Sequence, residues 1–144
     1  MAKIAIIYWT GTGNTREMAE AAARGVRAAG CEVRLAEVEE IRAEEALGYD
    51  GLMFGCPAMG DEVLEESAYE PFFAEVEGQL RDKPVALFGS YGWGGGAWMR
   101  DWAERTRKAG ARLCGEGLAV ENAPDDAALA ACEKLGRDLA AMAG

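Results

Sequence analysis

Apolar residues fall into short continuous runs along the chain: Ile4 to Trp9, Leu52 to Phe54, Val85 to Phe88, and a divided one, Leu113-Cys114 with Leu118-Ala119-Val120. Runs without alternation predict strands covered on both faces, as in parallel sheets. Val33 to Val38 alternates imperfectly and predicts an edge strand. Helical patterns lie between them. Asn14 to Ala29 places Met18, Ala22 and Val26 on one face and stops at Gly30. Gly96 to Ala109 puts Trp98 and Trp102 on one face before Gly110. The last helix begins at Asp125 or Asp126 after Pro124 and aligns Ala128, Cys132, Leu135, Leu139 and Met142. Strand alternating with helix predicts an α/β domain built on a parallel sheet. No repeat, low-complexity tract or linker interrupts it, so residues 1–144 are expected to form a single domain.

Composition narrows the chemistry. The chain has 15 basic and 25 acidic residues, a formal charge of −10, and no histidine. A general nucleic-acid binder needs a clustered cationic face, so none is expected. Without histidine, Ser-His-Asp and Cys-His catalysis and His-ligated metals are excluded. The four cysteines, Cys31, Cys56, Cys114 and Cys132, form no C-x-x-C pair, which removes the usual zinc and thioredoxin patterns. No metal site is expected. No apolar run approaches 18 residues, so no membrane span is expected either. The N-terminus enters a strand without a charged leader or cleavage site, and the default expectation is a reduced, cytoplasmic protein.

In open parallel sheets ligands bind beyond the carboxyl ends of the strands, and the unusual loops lie there. After the first strand comes Thr10-Gly11-Thr12-Gly13-Asn14-Thr15, with hydroxyls, an amide, two glycines and a helix N-terminus behind them. N–H groups and the positive end of a helix dipole suit an anion. The plainer alternative is a turn whose Thr or Asn caps the helix. Absences narrow the ligand. No lysine supports a Walker loop, and Arg16 stands where a dinucleotide fingerprint needs its third glycine. A receiver domain would have acids where Trp9-Thr10 and Cys56 stand. A phosphatase with Cys56 as nucleophile would have an arginine where Asp61 and Glu62 stand.

After the third strand comes Gly55-Cys56-Pro57-Ala58-Met59-Gly60-Asp61-Glu62, whose end suits a tight turn with glycine second. After the fourth comes Gly89-Ser90-Tyr91-Gly92-Trp93-Gly94-Gly95-Gly96, which displays two aromatics among five glycines. Met59 or Trp93 alone would be read as a packing residue. Together the three loops offer a phosphate cradle, apolar plates and a carboxylate, which suit a flat ring with a phosphate tail.

With these motifs in view, the chain resembles flavodoxin, of the short-chain anaerobic-bacterial type. The likeness runs from Tyr8 to Thr15, through Gly55 to Glu62 and Leu64-Glu65-Glu66-Ser67, to Gly89 to Gly94. It also takes in Trp98-Met99-Arg100-Asp101 and the Asn122-Ala123-Pro124-Asp125 corner. The resemblance implies a flavodoxin-like, doubly wound α/β fold: a five-stranded parallel sheet of order 2-1-3-4-5, with helices on both faces. Flavodoxin is itself the type example of that order, with FMN at its switch point. It also implies that Thr10, Gly11, Thr12, Gly13, Asn14 and Thr15 hold the FMN phosphate. Met59 and Trp93 would lie on opposite faces of the ring, and Glu62 would accept from ring N3–H. Gly60 would be the peptide that answers the redox state, its carbonyl turning toward N5. Asp61, Gly89, Ser90, Tyr91 and Gly92 complete the implied cofactor-binding set. Pro57 and Gly95 depart from the polar residues of some relatives.

The function so implied is a low-potential carrier that moves one electron at a time on non-covalently bound FMN between redox enzymes, with no catalytic residue. It is expected to be a monomer that meets redox partner proteins transiently near an exposed flavin edge. Two alternatives stand beside it: a small NAD(P)H-dependent FMN or quinone reductase on the same fold, and an interaction module without cofactor. Charge bears on this reading. Seven acids and no base lie between Gly60 and Leu80, whereas positions 81–112 hold seven bases and three acids. The acids are expected to oppose the second electron and to steer basic partners. Arg100, Arg105, Arg107 and Lys108 are expected to form an ordinary solvated helix face.

Overall fold

The computed structural model describes residues 2–59, 63–92 and 94–144. Its elements follow the apolar runs: β1 (Lys3–Tyr8), α1 (Asn14–Ala28), β2 (Glu32–Glu37), a 3-10 turn (Val38–Glu40), α2 (Ala43–Leu47), β3 (Gly51–Gly55), α3 (Tyr69–Glu77), β4 (Pro84–Tyr91), α4 (Ala97–Lys108), β5 (Arg112–Leu113), β6 (Leu118–Glu121) and α5 (Asp126–Ala143).

The strands pair in parallel in the order β2-β1-β3-β4-β5, and β6 also pairs with β4. The fifth position is therefore filled twice. Val85 faces Leu113, Phe88 faces Leu118, and the ladder breaks between them over residues 114–117. The divided apolar run in the sequence is this broken edge strand.

Alternation along β1 feeds two cores, because successive side chains leave a strand on opposite faces. Ile4, Ile6 and Tyr8 pack with Met53, Phe88, Met18, Val26 and Leu139 under α1 and α5. Ala5 and Ile7 pack with Phe54, Leu87, Phe73, Trp98 and Trp102 under α3 and α4. Both faces of the sheet are thus covered, which is why the central strands read as unbroken apolar runs.

The helix α3 was hidden by its charge. Tyr69, Phe72, Phe73 and Val76 are buried at helical spacing, but glutamates separate them. The short α2 spans too few residues to show a period.

The layer of α1 and α5 is unusually close. A Cβ added to Gly25 would meet the Glu133 carbonyl oxygen at 1.9 Å, and one added to Gly136 would meet that of Ala22 at 2.2 Å. The two helices touch backbone to backbone at these glycines.

Candidate functional site

The site is built from the carboxyl ends of β1, β3, β4 and β6. From β1 the chain enters residues 9–13, held to β3 by the Trp9 N–H on the Gly55 carbonyl (3.0 Å). Thr10 Oγ1 accepts from the Gly13 N–H at 3.0 Å and Thr12 Oγ1 from the Asn14 N–H at 3.4 Å, so the hydroxyls shape the turn. Gly13, at φ 97°, precedes α1 in the left-handed region that glycine tolerates, and no side chain caps the helix. A plain capped turn would have put Thr or Asn there. The N–H groups of the first helical turn lack intrahelical acceptors, and this helix start faces the cleft.

Behind the loop, Thr15 Oγ1 and Ser90 Oγ lie 3.2 Å apart in a buried hydroxyl pair that ties α1 to the end of β4. Beyond β3 the chain keeps pairing with β4, Cys56 N–H to Phe88 O (3.1 Å) and Ala58 N–H to Ser90 O (3.0 Å). Met59 and Val63 then exchange N–H···O bonds of 2.9 and 3.0 Å, closing the loop between them. Trp98 Nε1 donates to the Cys56 carbonyl at 3.2 Å and its ring supports Tyr91 at 5.4 Å between centroids. From β6, Asn122 (φ 59°) donates its N–H to the Tyr91 carbonyl at 2.8 Å.

These loops enclose a cleft of about 300 Å³. Of the residues singled out in the sequence, Gly11, Thr12, Asn14, Met59, Ser90, Tyr91 and Gly92 line it. Thr10, Gly13 and Thr15 stand behind the wall and shape it. Gly89 is buried; a Cβ there would come within 2.1 Å of the Cys56 carbonyl oxygen, so its bareness lets the β3 exit close on β4. Gly60, Asp61, Glu62 and Trp93 lie outside the described residues. Trp9, Pro57, Ala58 and Asn122 also line the cleft. Asn122 follows an apolar run and was open to the same strand-end logic; the broken edge strand obscured it.

Electrostatics divides the acid run. Arg105 reaches across from α4 with bonds of 2.8 and 2.7 Å to Glu70 and of 2.9 Å twice to Glu77, its guanidinium 4.8 Å above the Phe73 ring centroid. This corrects the expectation of a solvated Arg105: it is a half-buried clamp between α3 and α4. Glu65 is buried. Its carboxylate accepts from the Ser67 hydroxyl and N–H and from the N–H groups of Ala68 and Tyr69. Burial pushes its pKa up, but these bonds outweigh burial and bring it down from 4.5 to about 2. The charged form is favoured by the fold, so the stability it adds is complete above pH 4.5 and disappears as pH falls toward 2. Glu65→Ala is expected to cost about 2 kcal/mol at pH 7 and to flatten that part of the stability–pH curve, read by urea unfolding. Cys56 is pushed up to about 12 by burial, so its thiol stays protonated and unreactive. Among the described residues no cluster of metal-ligating side chains forms.

The family model for flavodoxin matches residues 6–136. The chain is 50% identical over 122 residues to a flavodoxin of Clostridium beijerinckii, covering 85% of this chain and 88% of that protein. It is 44% identical over 133 residues to one of Megasphaera elsdenii, covering 92% and 95%. The solution structure of the two-electron reduced Megasphaera elsdenii flavodoxin superposes with a TM-score of 0.86 at 43% identity, over 96% of this chain and 98% of that one. This chain belongs to the flavodoxin family. Flavodoxins bind FMN and carry electrons without a turnover reaction of their own, so the chain is an electron carrier rather than an enzyme.

The cleft fits that cofactor. It offers an uncapped helix start, hydroxyl and amide side chains, and flat or flexible apolar walls from Trp9, Met59 and Tyr91. None of the described lining residues carries a charge. A phosphate here would be held by N–H and O–H groups alone. No helix among the described residues is long and apolar enough to cross a membrane.

Proposed function

We propose that this chain carries single electrons at low potential between redox enzymes, as a monomer, with partners docking transiently at the open side of the cleft. The described lining residues of the cleft, none of them charged, support this most directly. Bound FMN supplies the redox chemistry. The chain's own groups leave the phosphate charge uncompensated, and the apolar walls raise the cost of further negative charge beside it. Residues 10–15, with Ser90, would form the phosphate cradle, Gly11, Thr12, Asn14 and Ser90 lining it and Thr10, Gly13 and Thr15 shaping it from behind. On the family pattern, Met59 and Trp93 would cover the ring faces, Glu62 would accept from the ring N–H and Gly60 would offer its carbonyl to the ring. Tyr91 and Gly92 line the same cleft, Gly89 lets it close, and Asp61 would complete the cofactor-binding set.

The acids that bear on potential and docking are fewer than seven. Arg105 offsets one of the two negative charges of Glu70 and Glu77, while Glu65 stays ionised but is bonded to N–H groups at the start of α3. Asp61 and Glu66 remain close to the cofactor loop in sequence. Replacing both by their amides is expected to raise the second one-electron potential by roughly 10–30 mV per charge at low salt, less at high salt. Neutralising Glu75 should move it less.

A spectroelectrochemical titration of the FMN-loaded protein tests the reading, together with NADPH oxidation in the absence of any reductase. Two resolved one-electron steps, the second well below that of free FMN, and negligible NADPH oxidation are expected. Rapid direct oxidation of NADPH would make the protein a reductase instead.

A further inference from the structure

We propose that the outer edge of β6, with the groove between it and α4, is a docking site for an extended acidic segment of a partner protein, which joins the sheet as a further strand. The inference goes beyond the cofactor reading and does not depend on it.

The edge is open. The register from Phe88–Leu118 to Tyr91–Glu121, with the Asn122 N–H on the Tyr91 carbonyl, turns the N–H and C=O groups of Leu118 and Val120 toward β4. Strand alternation then points those of Ala119 and Glu121 away from the sheet. Both residues are exposed, and these groups meet no backbone partner among the described residues. Unpaired groups in such a row are a template for another strand. Beside them lies a groove of about 500 Å³, with Met99 and Ala103 of α4 on one side and Ala119 on the other. Leu118 and Val120 pack into the opposite core, so Ala119 faces the groove, and an added strand would send every second side chain into it.

Charge selects the segment. The chain carries −10 overall, yet the charged residues lining the groove are Arg100, Glu104, Arg107 and Glu116. Both acids are matched: Lys108 Nζ lies 3.3 Å from Glu104, and Arg107 Nη2 lies 2.8 Å from Glu116. Arg100 gives an N–H to the Gly95 carbonyl at 3.0 Å and enters no ion pair among the described residues. A cation is left over at that end, so an acid on the segment belongs there. Arg100 and Arg107 stand about 10 Å apart along α4, the reach of about three extended residues. Tyr91 lines both this groove and the cofactor cleft, so a bound segment rests against the other side of a cleft wall.

Two capped peptides test this on the FMN-loaded chain. Each alternates valine and threonine over four residues, and one ends in two aspartates, the other in two lysines. With the aspartate peptide at about ten times its dissociation constant, amide exchange at Ala119 and Glu121 is expected to slow by about tenfold, since mass action then leaves the edge unpaired only a small fraction of the time. Val120, whose N–H already serves β4, should change far less. The lysine peptide should bind roughly five- to tenfold more weakly, and Arg100→Gln should bring the two within about twofold of each other. Ala119→Pro, which removes an outward N–H and no bond to β4, should abolish the protection at Glu121.

Unchanged exchange at both amides with millimolar aspartate peptide would overturn the proposal, as would equal binding of the lysine peptide to the unaltered chain. So would protection that appears without peptide and grows with protein concentration, because a second copy of this chain would then occupy the edge.

Discussion

Replacing Gly136 with alanine is expected to destabilise the protein by about 3 kcal/mol, lowering the melting temperature by roughly 6–12 °C for a chain of this size. Intrinsic propensity points the other way, because alanine in a helix interior is worth about 1 kcal/mol over glycine. Packing decides the sign. The new methyl would stand 2.2 Å from the Ala22 carbonyl oxygen and 3.2 Å from the Val26 amide nitrogen, both backbone atoms. A flexible side chain can swing aside, whereas backbone yields only if α1 and α5 separate. Gly25→Ala, with its 1.9 Å approach to the Glu133 carbonyl, is expected to cost at least as much. Gly30→Ala, where a Cβ meets nothing within 4 Å but φ is +83°, isolates backbone strain from collision and should cost less. Thermal and urea unfolding of the three variants measure this. A neutral or stabilised Gly136→Ala would mean that the helices part easily.

Thr12→Asp is expected to weaken FMN binding by two to three orders of magnitude while leaving riboflavin, which lacks the phosphate, within a few-fold. The residue lines the cleft beside the start of α1, and no charged side chain among the described lining residues offsets an added carboxylate. At an effective dielectric near that of a protein surface, a unit charge about 4 Å from another costs roughly 4 kcal/mol, and solvent at an exposed loop reduces this to about 3. Fluorescence titration with the two flavins gives the comparison. Equal loss for both would point to collapse of the loop rather than repulsion of phosphate, and would place the phosphate elsewhere in the cleft.

Much of the fold was legible because the two faces of the sheet leave a direct trace. Continuous apolar runs marked β1, β3 and β4, and glycine stops marked the ends of α1 and α4. The candidate site was legible for the same reason, since strand ends in a parallel sheet must gather at one edge. The gap in the fifth strand showed as polar residues between Leu113 and Leu118, but its consequence for Asn122 did not. A residue's place beside Tyr91 depends on register across the sheet, and register is not written in one segment.

Charge misled where distance was needed. The glutamates of α3 and the arginine at position 105 stand 28 and 35 residues apart in the chain, so composition showed an acidic run and a basic run. Their pairing exists only once α3 and α4 lie side by side.

By itself the sequence determined the α/β class, the three strand-end loops and the absence of histidine chemistry, because each follows from residue type and local spacing. Only the tertiary structure decided that α1 starts uncapped, that Gly25 and Gly136 stand where α1 and α5 touch, and that Arg105 is shared by two glutamates. These are relations between surfaces that meet at angstrom separations, and no periodicity within one segment records which surface arrives opposite it.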